Sequence, residues 1–425
     1  MRRKRVCLLA ALASNAIMYA QPEQSMPGMD HSQMPGMNHA VALSPPETLL
    51  MNQASGTSMA PAAWPMPMLM KNAGSWRFMF MATAFLVDTQ QAGPRGHDKL
   101  YSTNWAMMNA VHKAGRGALS FQLMTSLEPL TITKRRYPEP FQTGETAYGK
   151  PLVDAQHPHD FIMALAMQYA VPLSETTLFQ AYIAPVGDPA LGPVAFPHRA
   201  SASELPQAPL GHHWQDSSHI ANEVVTVGVK HNWLRLEASG FHGAEPDESR
   251  WNIDYGAIDS WSARVSIFPA KNWAGQVSAG RLTHPESQEN GDVVRATASL
   301  SYSRPMPGGS WSSSFIWGRN HKTASRSDSN SYLAESELPV TRRNFLTGRV
   351  ELIDKDELFP GSAVSYRIAA ATAGYTHDVD LFPHLESGIG FNVTAYHLPA
   401  ALHSTYGDRP LALSVYLRLR LKAER

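Results

Sequence analysis

The chain has 425 residues, long enough for one large or two medium domains. Its 36 basic and 36 acidic side chains cancel, and zero net charge lacks the basic face that nucleic acid requires. Charged residues make up only 17% against 43% hydrophobic. That is low for a soluble enzyme, where about a quarter is charged, and it suits a barrel with an apolar outside and a small-polar inside.

The first elements are for export. Met1-Arg2-Arg3-Lys4-Arg5 is basic, Val6 to Met18 is apolar apart from Ser14 and Asn15, and Ala16 and Ala20 offer small residues for cleavage. Residues 1–20 therefore read as a signal peptide; the apolar run is too short to span a bilayer. The single cysteine, Cys7, falls inside it, so the mature chain has no thiol for disulfides or metal. Beyond it no run of about 18 apolar residues follows. A membrane crossing would have to be a closed barrel, since lipid offers no partner to an open sheet edge.

Residues 21–72 are rich in Met, Pro, Ser and Gln without hydrophobic periodicity, and are expected to be mobile. They contain a repeat: Ser25-Met26-Pro27-Gly28-Met29-Asp30-His31, then Gln33-Met34-Pro35-Gly36-Met37-Asn38-His39. Each unit offers two thioethers and one imidazole. Thioethers select Cu(I), and imidazole accepts either copper oxidation state. Pro-Gly between the methionines favours a turn that brings both sulfurs to one ion. Met26, Met29, His31, Met34, Met37 and His39 are thus candidate copper ligands, although a plain Met-rich linker fits the composition too. Met66, Met68 and Met70, near Trp64, could extend the set, but fit better as packing against a barrel mouth. The run Met29 to Met37 resembles the Met/His repeats of the outer-membrane copper-resistance protein B family. That resemblance implies an outer-membrane barrel with a copper-binding tail. It covers only this tail and a general barrel texture.

From Ser75 the texture changes to segments with period-2 alternation, separated by turn signals such as Pro307-Gly308-Gly309 and Glu289-Asn290-Gly291-Asp292. The last is clearest. Leu411, Leu413, Val415, Leu417, Leu419 and Leu421 share one face, and Ala412, Ser414, Tyr416, Arg418, Arg420 and Lys422 the other. A helix would scatter both sets, whereas a strand separates them. Trp261, Ala263, Val265 and Ile267 likewise oppose Ser260, Ser262, Arg264 and Ser266. Val294, Ala296, Ala298, Leu300 and Tyr302 oppose Arg295, Thr297, Ser299, Ser301 and Ser303. Residues 161–170 alternate as well, but fit a helix too. Further candidates lie near 76–88, 99–112, 117–127, 177–186, 222–230, 233–242, 273–283, 311–319, 344–353, 363–376 and 386–397. The expectation is an all-β, transmembrane, antiparallel up-and-down β-barrel of roughly 14 strands over residues 73–425. Trp233, Trp251, Trp261, Trp273, Trp311 and Trp317 near strand ends suit interfacial girdles. The ending Lys-Ala-Glu-Arg departs from the terminal aromatic of many bacterial barrels.

Two His motifs flank a Pro-rich loop near 186–218: His157-Pro158-His159-Asp160, and His212-His213-Trp214-Gln215-Asp216-Ser217-Ser218-His219. The barrel region resembles a group of bacterial envelope β-barrel proteins carrying these motifs, with no established activity. If the loop folds into the lumen, His157, His159, Asp160, His212, His213, Asp216 and His219 could converge. Such ligands suit Zn, Fe, Mn or Cu(II); a hydrogen-bonded lumen network is the other reading. Asp154, Arg199 and Glu223 could join them. His377, Asp378, Asp380 and His384 form a weaker group that reads more simply as a turn. Arg342, Arg343, Arg349, Glu351, Arg418 and Arg420 would line the interior, either as selectivity charges or as ion pairs.

Three functions compete. The first is copper tolerance at the outer membrane of a Gram-negative-type bacterium, with the tail capturing copper and passing it to the barrel or to periplasmic copper-handling proteins. The second is a general porin or solute transporter with an incidental tail. The third is an envelope metalloenzyme using the His/Asp loop. No nucleophile elbow or nucleotide loop supports an enzyme.

Overall fold

A strand with apolar side chains on one face and polar ones on the other needs two different environments, and a closed sheet supplies them without leaving an edge. The computed structural model describes residues 43–217, 221–286, 290–359, 361–362 and 364–422. The signal segment, the Met/His repeat and His219 lie outside the described residues. Sixteen long antiparallel strands close into a barrel. They are β1 (Trp76–Gln91), β2 (Lys99–Ala114), β3 (Gly117–Thr125) and β4 (Ile162–Pro172). Next come β5 (Thr177–Val186), β6 (Asn222–His231), β7 (Leu234–His242) and β8 (Ser260–Ile267). Then follow β9 (Trp273–Leu282), β10 (Val293–Met306), β11 (Gly309–Lys322) and β12 (Ser327–Pro339). The last are β13 (Asn344–Lys355), β14 (Tyr366–Phe382), β15 (Leu385–His397) and β16 (Leu411–Leu421). β16 closes onto β1 from Ala412↔Gln91 to Arg420↔Thr83. The short strand Leu69–Ala73 pairs with the start of β1 and fills the row beyond the end of β16.

The expected strand number of about 14 is therefore corrected to sixteen. β12 had no counterpart among the sequence segments. Its outer row is Asp328, Asn330, Tyr332, Ala334, Ser336 and Leu338, and its inner row includes Leu333, so the contrast between faces is weak. Residues 161–170 resolve as a strand, β4.

The faces sort as the alternation requires. Leu411, Leu413 and Val415 are exposed on the outside, whereas Arg418 points inward and is fully buried. Trp261 and Val265 face out, Ser262 and Arg264 in. One end of the barrel carries tight connections such as residues 115–116, 232–233 and 307–308, and the other carries loops such as 126–161, 187–221 and 243–259. At the tight-turn end Trp273, Tyr302 and Trp311 form a row, with ring centroids 4.7 and 5.5 Å apart.

The lumen is filled by the chain itself. Residues 43–72, expected to be mobile, instead form a helix (Pro45–Met51) and a hairpin of Gln53–Ser55 with Ser58–Met59. The helix starts where Glu47 reaches back to accept the Ser44 backbone N–H at 2.9 Å, with Pro45 at its first position. Its Leu49, Leu50 and Met51 pack on inward residues Met79, Val111, Ala118 and Ala170. What keeps this segment ordered is apolar burial that its low-complexity pattern did not advertise. From the opposite end, the hairpin of Tyr137–Ala147 with Lys150–Gln156 and the 187–221 loop also turn inward, burying Phe141, Leu191 and Trp214.

Several charges on the inner wall are paired. Glu335 accepts from Arg199 of the loop at 2.5 Å and from Arg349 at 3.0 Å. Glu237 pairs with Arg235 and Arg264, both at 2.9 Å. Glu204 of the loop meets Arg418 and Arg420. The interior arginines thus form ion pairs that tether the loop to the wall. Arg342 and Arg343 are corrections, because both sit exposed on the turn after β12, where Arg343 holds Asp380 at 2.6 Å.

One buried carboxyl gives the plug a pH dependence. Asp188 is pushed up to about 7, by burial first and then by the Asp216 carboxylate. Its folded value lies above its ordinary 3.8, so its protonated form stabilises the plug at low pH, and that contribution is lost as pH rises through 7. Asp188→Asn should be as stable as wild type at pH 4 and melt several degrees higher at pH 8, as read by thermal scans in detergent. Parallel pH profiles for the two proteins would refute this.

Candidate metal centre in the lumen

The two inward-folded segments bring three imidazoles together. His157 follows the returning hairpin strand Lys150–Gln156, and His212 and His213 lie on one helical turn, His212–Gln215. Their ligand nitrogens all lie within 4.8 Å of one another, and all three residues are buried. The rings of His212 and His213 are 4.1 Å apart, and those of His157 and His213 5.7 Å.

The backbone sets which nitrogens are available. His157 Nδ1 lies 3.0 Å from the Pro158 carbonyl, and His212 Nδ1 2.9 Å from the Pro209 carbonyl. A carbonyl only accepts, so each Nδ1 donates and each Nε2 keeps its lone pair, that of His212 facing the Gln156 amide nitrogen at 3.4 Å, which a bound ion would displace. His157 Nε2 is 2.9 Å from Glu145 Oε1. Two lone pairs cannot face each other at that distance, so a proton or a metal ion must lie between them. Burial, then the neighbouring imidazoles, push His212 and His213 well below the ordinary histidine value, so both rings are neutral and ligand-competent.

Glu145 supplies the negative charge. Burial raises its pKa, but Arg250 and His157 outweigh that and hold it at about 2. Arg250 also holds Asp160 at 3.2 Å, and Asp160 is pushed up to about 6, mainly by burial. Glu245 lies 3.9 Å from His213 Nδ1. Three imidazoles, with the Glu145 carboxylate set against His157, are a borderline donor set suited to Zn(II) or Cu(II).

The centre has an approach. Glu145 and Gly144 also line a cavity of about 610 Å³ at the long-loop end, with Glu286, Asp356, Glu357 and Lys322 around it. The excess of carboxylates favours cations there. Gly144 has φ +110°, and a Cβ at that position would fall onto the His213 ring. Glycine is required for both reasons.

The other sequence candidates are placed elsewhere. His159 Nδ1 meets Glu128 Oε2 at 2.9 Å, turned away from the triad. Asp160 is held by Arg250, so it supports the centre without joining it. The Asp216 carboxylate accepts the Phe196 N–H at 3.3 Å and its carbonyl accepts from Arg295 at 3.0 Å, bracing the loop. Asp154 pairs with Arg95 at 3.0 Å, Glu223 accepts the Gly256 N–H at 3.0 Å, and Arg199 belongs to the Glu335 pair. His377 meets Asn344 at 2.8 Å, and Asp378 meets Arg418 at 2.5 Å, so the 377–384 group is structural. Sequence reasoning missed Glu145, because an isolated Gly-Glu-Thr on a hairpin carries no ligand spacing.

Comparison with solved structures finds the same architecture. An anion-selective porin from Comamonas acidovorans matches over 81% of this chain and 100% of its own, with a TM-score of 0.51 and 10% identity. OprB from Pseudomonas putida, at high pH, matches over 82% of this chain and 94% of its own, with a TM-score of 0.50 and 8% identity. At such identities the likeness shows the fold alone, a closed porin-like β-barrel. No family model and no curated protein matches the chain.

Proposed function

We propose that the protein is a porin-type outer-membrane barrel, held closed by its own inserted segments, whose solute is a metal cation. The observation that carries this reading is the meeting of His157, His212 and His213 beside Glu145, at the foot of an acidic vestibule. The outward rows of Leu, Val and Trp would face lipid, and the plugged lumen would restrict free passage. No catalytic step is part of this reading. Copper is the ion we put first, because the Met26–His39 repeat offers soft ligands and the lumen offers imidazoles. The repeat would capture copper and exchange it with the barrel or with periplasmic copper-handling proteins.

A general porin is the second reading, favoured by the likeness to porin barrels. Planar-bilayer recordings separate the two. A metal-handling barrel should show little conductance in salt alone, and Cu(II) or Zn(II) at micromolar concentration should alter it and be reversed by a chelator. Steady large conductance indifferent to metal and chelator would establish the general porin and reject the metal reading.

A further inference from the structure

Deeper in the lumen lies a second group of soft side chains that neither the three-His centre nor the N-terminal repeat uses. The inward residues Met81 of β1, Met107 of β2, Met124 of β3 and Met163 of β4 are buried in one cluster. Met66 and Met68, on the segment leading into the barrel, pack against it. Six of the 19 methionines of the chain therefore meet at one place. Packing alone would be served as well by Leu or Ile, whose rotamers are better defined.

Two further observations point to a ligand. His198, buried, reaches from the loop after β5 into this cluster, with Nε2 3.2 Å from Met124 Sδ. Beside them is a cavity of about 60 Å³, lined among others by Met66, Met81, His159 and His198. That is more than the roughly 15 Å³ that one small occupant needs. Thioether sulfur with one imidazole selects a soft, low-coordinate ion and rejects hard divalent cations.

We propose that Met124 and His198, with Met66, Met81, Met107 and Met163 around them, form a site for a soft monovalent cation, Cu(I) or its analogue Ag(I). This site is separate from the three-His centre and does not rest on it. The barrel then holds two environments along one lumen: imidazole and carboxylate behind the vestibule, thioether and imidazole beyond.

The test uses the full chain in detergent with Ag(I), or Cu(I) supplied under ascorbate with a competing chelator. Met124→Leu/Met81→Leu keeps side-chain volume and should fold, since such swaps cost under about 1.5 kcal/mol. The double variant should bind one Ag(I) fewer than wild type, and X-ray absorption should show fewer sulfur neighbours per metal. His213→Ala should leave this ion in place, which distinguishes failure here from failure of the three-His reading. Equal Ag(I) stoichiometry in wild type and the double variant would overturn the site. Should the variant not fold, Ag(I) soaked into wild-type crystals decides the matter. An anomalous peak between Met124 Sδ and His198 Nε2 supports the proposal, and peaks only elsewhere refute it.

Discussion

Glu204→Ala should open the barrel. Glu204 sits on the inserted loop, fully buried, and accepts from both Arg418 and Arg420. Burial raises its carboxyl, but the two guanidiniums outweigh that and hold it below the ordinary value, so it is ionised. Removing it leaves two arginine charges in the lumen with less compensation, Arg418 keeping only Asp378 at 2.5 Å. Breaking one side of a buried ion pair costs about 3–5 kcal/mol, because the remaining charge stays desolvated. The loop is otherwise tethered by the Arg199–Glu335 pair, by Arg264, Arg295 and Arg349 donating to its carbonyls, and by hydroxyl contacts such as Ser201 to Ser314 at 2.8 Å. The expected result is a loop that leaves the lumen part of the time. Single-channel conductance should rise several-fold, and trypsin should cut at Arg199, which is enclosed in the native state. A Glu204→Met/Arg418→Met pair should recover much of the closure, since a well-packed apolar pair replaces the ionic one at little cost. Unchanged conductance together with unchanged trypsin resistance in Glu204→Ala would show that the loop is held by something else.

His213→Ala should weaken Zn(II) or Cu(II) binding at the three-His centre by at least about 100-fold, since one of its three imidazole donors is lost. Gly144→Ala should weaken it about 10–100-fold without removing a ligand, because the added methyl displaces the His213 ring. The two variants together separate chelation at a built site from loose binding to surface histidines. Calorimetric titration on the full chain reads both, and a chelator should return wild type to its metal-free melting temperature. An ion at 100 times its Kd adds about 2.7 kcal/mol of stability, enough to move the melt by a few degrees. Wild-type affinity in both variants would remove the centre from consideration.

The barrel itself was legible in the chain. The strict alternation of Leu411 to Lys422, of Trp261 to Ser260 and of Val294 to Arg295 carries the strand geometry and the assignment of faces, because a period of two is a local property. The weak alternation of β12 hid one strand for the same reason. The His motifs marked the loops that matter, and three of their members did come together. Which three could not be read, because convergence depends on how the long segment after β5, described over 187–217, folds back across the lumen. Residues 43–72 misled in the other direction. Their composition lacks periodicity, yet Leu49, Leu50 and Met51 are enclosed by four strands that supply the apolar partner.

By itself, then, the sequence determined an all-β barrel, the inward and outward rows and the residue types available for metal. Only the tertiary structure decided that the lumen is filled, that Glu145 joins His157, His212 and His213, that His159 and Asp216 do not, and that methionines from four strands meet His198. The physical reason is range. Strand faces follow from neighbours two residues apart, whereas buried contacts join side chains far apart in the chain, 214 positions in the Glu204–Arg418 pair. Their geometry is selected by the joint burial of loop and wall, where an enclosed polar group left without a partner is costly.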